Sequence, residues 1–316
     1  MNAEAKIIDI QIQPVKGGGS LKLSTARMTK AGLETVDGKI RDHGLVAVSE
    51  EAGQQGFHHF LTQRVRVNPA DNLFVPGTGE LAKAVPKINQ DGKLTFTFNK
   101  ETIVDFGEEN DDQTRIRPVQ VWEYWGAGIE VPGLSDFFSD HLNRDVKIMR
   151  TAGPWSRMSR QNFMENTNPA RAHDGYPVHA VAWRDAEAIF RGINEEIDPS
   201  RFRYQLLLDG LEFREMHGYE GGEINGVSFK QPKPSDRCEV TGRDQETGEF
   251  SSIKPLAGLA AIGAGRWIRP DSGKKVHVVG ENWLPLGETV VAIGDIVKFT
   301  ERRTRPIQFE ESKPKS

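Results

Sequence analysis

Cys238 is the only cysteine in this 316-residue chain, and it stands in the run Asp236-Arg237-Cys238-Glu239-Val240-Thr241-Gly242-Arg243-Asp244. A thiol beside an arginine and ahead of a polar turn can be held as the thiolate, the form that binds soft metals or carries sulfur. A lone cysteine is more often a small buried hydrophobe with no chemical duty. Its neighbours argue otherwise here, because charged side chains are seldom buried without partners and would fit an apolar strand poorly. The expectation is a thiol that lines a polar pocket.

The other chemistry-bearing residues are weaker signals. Lys16 sits in the glycine-rich turn Lys16-Gly17-Gly18-Gly19-Ser20, whose amides can face an anion, although such turns are far more often only turns. Asp174 in His173-Asp174-Gly175-Tyr176-Pro177 reads by itself as a turn residue. His58-His59 is no convincing metal pair, since adjacent strand residues face opposite sides. Glu108, Glu109, Asp111 and Asp112 read as a solvated acidic loop.

These groups need a scaffold, and the first half of the chain supplies strand signals. Residues 7–15, 45–48, 94–98 and 119–122 are rich in β-branched and aromatic side chains and are bounded by Gly, Asp or Pro. Ser135 reads as the cap of a helix through Leu142. A boundary near residue 155 then separates a mixed second half. There Trp183, Ala186, Ile189, Phe190 and Ile193 mark an amphipathic helix, and residues 202–208, 276–279 and 290–299 read as strands. The charged tail from Glu310 is expected to fray.

Composition bounds the functions. With 37% hydrophobic residues and six tryptophans, the chain can build real cores. A net charge of -4 offers no global attraction to nucleic acid. No segment has the apolar length of a membrane span and no signal core opens the chain, so the cytoplasm is the expected location. One cysteine excludes an internal disulfide and cannot hold an iron-sulfur cluster.

Taken in order, several short motifs resemble the MOSC family, named for the C-terminal domain of molybdenum cofactor sulfurase, and more closely its two-domain members. They are Pro14-Val15-Lys16, Arg41-Asp42, Thr62-Gln63-Arg64, His173-Asp174 with Pro177, Arg201-Phe202-Arg203, Arg237-Cys238 with Asp244 and Thr247-Gly248, and Gly280 ahead of Gly294-Asp295. The resemblance covers nearly the whole chain. It implies an α+β, predominantly β fold, with an N-terminal β-barrel-type domain (1–154) packed against a MOSC β-barrel with peripheral helices (155–305) and a flexible tail (306–316).

The resemblance also implies roles. Cys238 takes the place of the family's molybdenum ligand or sulfur carrier. Lys16, Arg41, Arg64 and Arg203 match residues that contact the molybdopterin cofactor, with Arg237 either lowering the thiol pKa or binding the cofactor. Ser235 and Asp236 would orient the ligand, Thr241 and Asn282 would touch the pterin, and Asp174 would hold water or relay protons near the metal. The chain also departs from the pattern. His43-Gly44 replaces an arginine and an aromatic, Tyr204-Gln205 stands where Pro-Asn is frequent, and Gly17 and Gly242 replace polar residues.

Three activities follow from the likeness. The first is a molybdenum-dependent oxidoreductase that reduces small N-hydroxylated or N-oxide compounds, fed with electrons by a separate flavin or iron-sulfur protein. The second is a carrier or store of the cofactor, and the third a sulfur carrier with a persulfide on Cys238.

Overall fold

Strand Ala3–Ile12 opens the chain, but its partners lie far away in sequence, against Ile296–Arg302 on one side and Leu206–Asp209 on the other. The computed structural model describes residues 2–52, 58–61, 66–68, 73–75, 79–121, 124–152, 171–245 and 248–311. Among these, an eight-stranded sheet runs Leu206–Asp209, Val178–Ala182, Val278–Pro285, Val227–Asp236, Tyr219–Ile224, Ile296–Arg302, Ala3–Ile12, Leu21–Leu23. The pairing of Ala3–Ile12 with Leu206–Asp209 closes it into a barrel, with Leu21–Leu23 as an extra edge. A closed barrel removes exposed strand edges.

A six-stranded sheet forms a second closed unit in the order Val146–Ala152, Tyr124–Glu130, Ile116–Val121, His58–Phe60, Leu45–Ala52, Val15–Lys16. Pairing of Val146–Ala152 with Leu45–Ala52 closes this sheet. Residues 45–48 are buried on both faces: Leu45 and Ala47 join the largest core, Val46 and Val48 a separate cluster with Phe60, Val119 and Met149. The period-two alternation of a strand places them so. The fold is thus predominantly β with peripheral helices, as expected.

Several expectations change. The first strand belongs to the barrel of the second half, so the unit 1–154 gives up its opening residues to residues 178–302. Strand periodicity decides which face is buried, not which sheet recruits it. Helix α1 spans Pro132–Leu142, starting three residues before the expected Ser135 cap, with Pro132 in the first turn, where the missing N–H costs nothing. Ser135 instead accepts from Ile148 N–H and donates to the Val131 carbonyl. The run 290–299 is two strands, Thr289–Ala292 and Ile296–Arg302, parted by Gly294 at φ +103°. The start of the tail is anchored, as Gln308 accepts from Ile268 N–H and Glu310 takes Arg266 Nε at 2.7 Å, while residues 312–316 lie outside the described residues.

Helix α2, Trp183–Ile193, matches the expected amphipathic helix and packs on helix α3, Pro255–Ala261. Their apolar faces join Val181, Phe202, Leu207 and Val279 in one cluster outside the barrel. Gly280 has φ +72° and its strand approaches the Ala180 carbonyl so closely that a Cβ would collide with it. No helix among the described residues is long and apolar enough to cross a membrane.

Candidate functional site

Strand Val227–Asp236 ends at the barrel rim and hands the chain to Arg237, whose N–H still pairs with the His277 carbonyl at 2.9 Å. Cys238 then leaves the sheet in an extended conformation and precedes the short 3-10 turn Glu239–Gly242. The free thiol is half-buried. It is therefore neither sealed in hydrocarbon nor fully in water, as its charged neighbours require.

Two arginines accompany it. Arg237 extends to Ser235 Oγ at 3.1 Å and to the Phe202 carbonyl at 2.6 Å, while its buried Nε makes no hydrogen bond. Arg203 occupies a left-handed conformation, φ +51°, at the end of the 3-10 turn Pro199–Phe202. Its guanidinium donates to the Gly18 carbonyl and to Gln245 Oε1, both at 2.9 Å. Loss of water lowers both arginines, Arg203 to about 10, against the opposing pull of Cys238 and Asp174 on each. Mutual repulsion of the two guanidiniums lowers Arg203 further. Two cations forced together without full neutralisation make a place for an anion.

Lys16 comes from the other sheet and is buried, with Nζ 2.6 Å from Asp174 Oδ1 and 5.3 Å from the Phe60 ring centroid. Lys16, Asp174, Arg203, Arg237 and Cys238 thus meet where the two sheets face each other. Beneath them His179 points Nε2 at the Val279 carbonyl, 2.9 Å, and Nδ1 at the Arg203 carbonyl, 3.3 Å. Two carbonyl partners favour the charged ring, but burial and then Arg237 prevail and push its pKa down to about 3. His179 is neutral, so only one nitrogen donates, and the shorter contact identifies Nε2.

The remaining expected residues divide. Arg41 does not join the cluster: it pairs with Glu108 at 2.7 Å and lies 3.9 Å from Glu34. The Glu34 carboxylate, almost fully buried, also holds Arg27 and Arg171 and draws Arg41 to that side. Arg64 lies outside the described residues, as do Thr62, Gln63 and Thr247. Ser235 touches Arg237, and Asp236 is held by Lys233 with Arg269 at 4.0 Å. Burial would raise the Asp236 carboxyl, but Lys233 outweighs it and the net shift is downward. Thr241 donates back to the Cys238 carbonyl at 3.1 Å, fixing the turn rather than facing a ligand. Asn282 donates to the carbonyls of Lys233 and Pro234 across the sheet.

A second group carried no assigned role in the sequence. Asp42, fully buried, accepts from Gln13 N–H at 2.6 Å, His173 Nε2 at 2.9 Å and Gln205 Nε2 at 3.1 Å. The His43 ring lies 4.6 Å from that of His173, centroid to centroid. Burial alone would raise the Asp42 carboxyl, but His43, the His173 contact and the Gln13 amide hold it at about 2. The signal in sequence was the exchange of arginine for His43 beside an aspartate. What it meant depended on a partner 131 positions away in the chain.

The donor set fits the cofactor expected at Cys238. A half-exposed thiol gives a soft donor, Arg237 has an unused buried N–H, and Arg203 with Lys16 gives charge for an anionic tail. A family model described as the MOSC domain matches residues 168–298. No curated protein matches the chain significantly. Among solved structures, the YuaD protein of Bacillus subtilis is similar over 96% of this chain and 99% of its own, at 8% identity and a TM-score of 0.40. YiiM of Escherichia coli aligns over 48% of this chain and 64% of its own, at 14% identity and a TM-score of 0.30. For YiiM of Geobacillus stearothermophilus the shares are 40% and 55%, at 13% identity and 0.27.

Proposed function

Because residues 168–298 match the family model of the MOSC domain, we propose that the residues around Cys238 bind a molybdenum-pterin cofactor. The chain then reduces N-hydroxylated or N-oxide compounds with electrons from a separate flavin or iron-sulfur protein. One observation supports this above the others: a half-exposed thiol between two sheets, in the field of two desolvated guanidiniums. Sole possession of one cysteine places any electron-supplying cluster outside these 316 residues.

When bound, the cofactor supplies a two-electron redox centre. The residues of the chain do the rest. Cys238 offers a thiolate donor, and Arg237 and Arg203 present planar forks to anionic groups while Lys16 adds a point charge. Asp174 exposes most of its side chain and hydrogen-bonds Lys16, so its carboxylate can orient a water or accept a proton beside the cofactor. In this proposal Arg64 adds a further cofactor contact, and Ser235 and Asp236 orient the strand end.

The test compares wild type and Cys238→Ser made in a host competent for pterin-molybdenum synthesis. Near-stoichiometric molybdenum in the wild type, its loss in the variant, and turnover of an aromatic amidoxime with a chemical reductant are expected. Molybdenum-loaded protein that reduces no hydroxylamine, amidoxime or N-oxide would sink the reductase reading. Transfer of cofactor to an apoenzyme without turnover identifies a carrier, and cyanide-labile sulfur on Cys238 without molybdenum identifies a sulfur carrier.

A further inference from the structure

We infer that Asp42, His43 and His173 form a binding site for a divalent first-row metal ion of the zinc class, separate from the thiol and independent of the reading above. One ligand atom from each lies within 4.8 Å of the others. Asp42 Oδ2 is 2.9 Å from His173 Nε2 and 3.9 Å from His43 Nδ1. Ligands on a tetrahedral zinc with bonds of about 2.0–2.1 Å sit roughly 3.4 Å apart, so the two measured spacings bracket the required one. The third spacing, His43 to His173, is no more than 4.8 Å, and side-chain rotation that draws the two rings together around the Asp42 carboxylate brings all three onto one ion.

The surroundings are those of a built site. Gln13 N–H and the Gln205 amide hold the Asp42 carboxylate in place, the kind of outer hydrogen bonding that orients a ligating carboxylate. Gly32, at φ +119°, packs against the His173 ring, where a Cβ would stand 3.1 Å from Cε1. His43 is held in the left-handed region at φ +51°, an unusual conformation for a non-glycine residue. His43 Nδ1 is buried with no hydrogen-bond partner. An interdomain clamp would explain Asp42, His173 and Gln205. It leaves the buried His43 nitrogen without a purpose.

Two imidazoles and one carboxylate suit zinc or ferrous iron, and three protein ligands leave a coordination position open. Of the positive charges nearest the site, Lys16 is paired with Asp174, while Arg203 keeps its charge, hydrogen-bonds the Gly18 carbonyl and Gln245 and is attracted by Asp42. A metal takes the position of the proton on His173 Nε2, and the neutral ring then carries its one proton on Nδ1, so that no net proton is lost.

The experiment uses the full chain stripped with a chelator, zinc chloride as probe, and equilibrium dialysis with metal analysis. Wild type and Cys238→Ser should each bind one equivalent, with tetrahedral cobalt substitution showing no thiolate charge-transfer band. His43→Asn, which tolerates the left-handed backbone and spares the Asp42–His173 contact, should weaken binding at least tenfold. His173→Gln should do the same, and zinc should raise the thermal midpoint of wild type and of Cys238→Ser well above any rise in the two histidine variants. Equal binding by His43→Asn, loss of binding in Cys238→Ser, or no zinc bound by the wild type overturns the assignment.

Discussion

Lys16 Nζ stands 2.6 Å from Asp174 Oδ1, an ion pair in which the lysine is 6% exposed and the aspartate 72%. It links the glycine turn beside the six-stranded sheet to the loop near the start of the MOSC-matching segment, 158 residues away in the chain. Water around Asp174 screens the pair, so it contributes position more than stability. A double-mutant cycle of Lys16→Met and Asp174→Asn is expected to give a coupling of no more than about 1 kcal/mol by urea unfolding. Molybdenum retention should fall in both single variants.

Asp42 is the opposite case, a carboxylate with no exposure and three N–H groups aimed at it. Replacing it with Asn turns one acceptor oxygen into a donor that faces donors. Each buried hydrogen bond to a charged group is worth about 1.5–3 kcal/mol, so Asp42→Asn should cost roughly 3 kcal/mol. Glu108→Gln, which removes only the exposed partner of Arg41, should change stability by less than about 0.5 kcal/mol. Equal costs in urea midpoints would contradict the burial argument.

Acid sensitivity follows from the buried histidines. His179 has an ordinary value of 6.5 and about 3 in the fold, lowered by burial and Arg237. The unfolded chain takes up this proton below 6.5 and the native state does not, so stability is complete above that pH and falls between 6.5 and about 3. His43 and His173 are lowered as well, both chiefly by burial, and act in the same direction. Urea midpoints should therefore decline on acidification below 6.5. His179→Gln, which keeps a donor for the Val279 carbonyl, should flatten that decline by up to about 1.4 kcal/mol per pH unit.

The thiol should be open to reagents. Native protein is expected to release one equivalent of thionitrobenzoate from an anionic aromatic disulfide without denaturant, since its one cysteine is half-exposed. Arg203 and Arg237 attract the anion, so the rate should fall with added salt and fall further in Arg203→Gln. A thiol that reacts only in urea would place Cys238 out of reach of any cofactor.

Residue types and order alone determined much of this protein. The strand periodicities at 45–48 and 94–98, the helix over 183–193, and the clustering of charge around one cysteine were legible because alternation and local composition act over a few neighbours. Tertiary structure decided the rest, because long-range pairing carries no local signature. It sent Ala3–Ile12 to the eight-stranded barrel of the second half and turned Arg41 toward Glu34 and Glu108 instead of the thiol. It also brought Asp42 and His43 against His173. Side-chain direction at each of these places depends on which distant carboxylate or strand edge the closed barrels bring within hydrogen-bonding range.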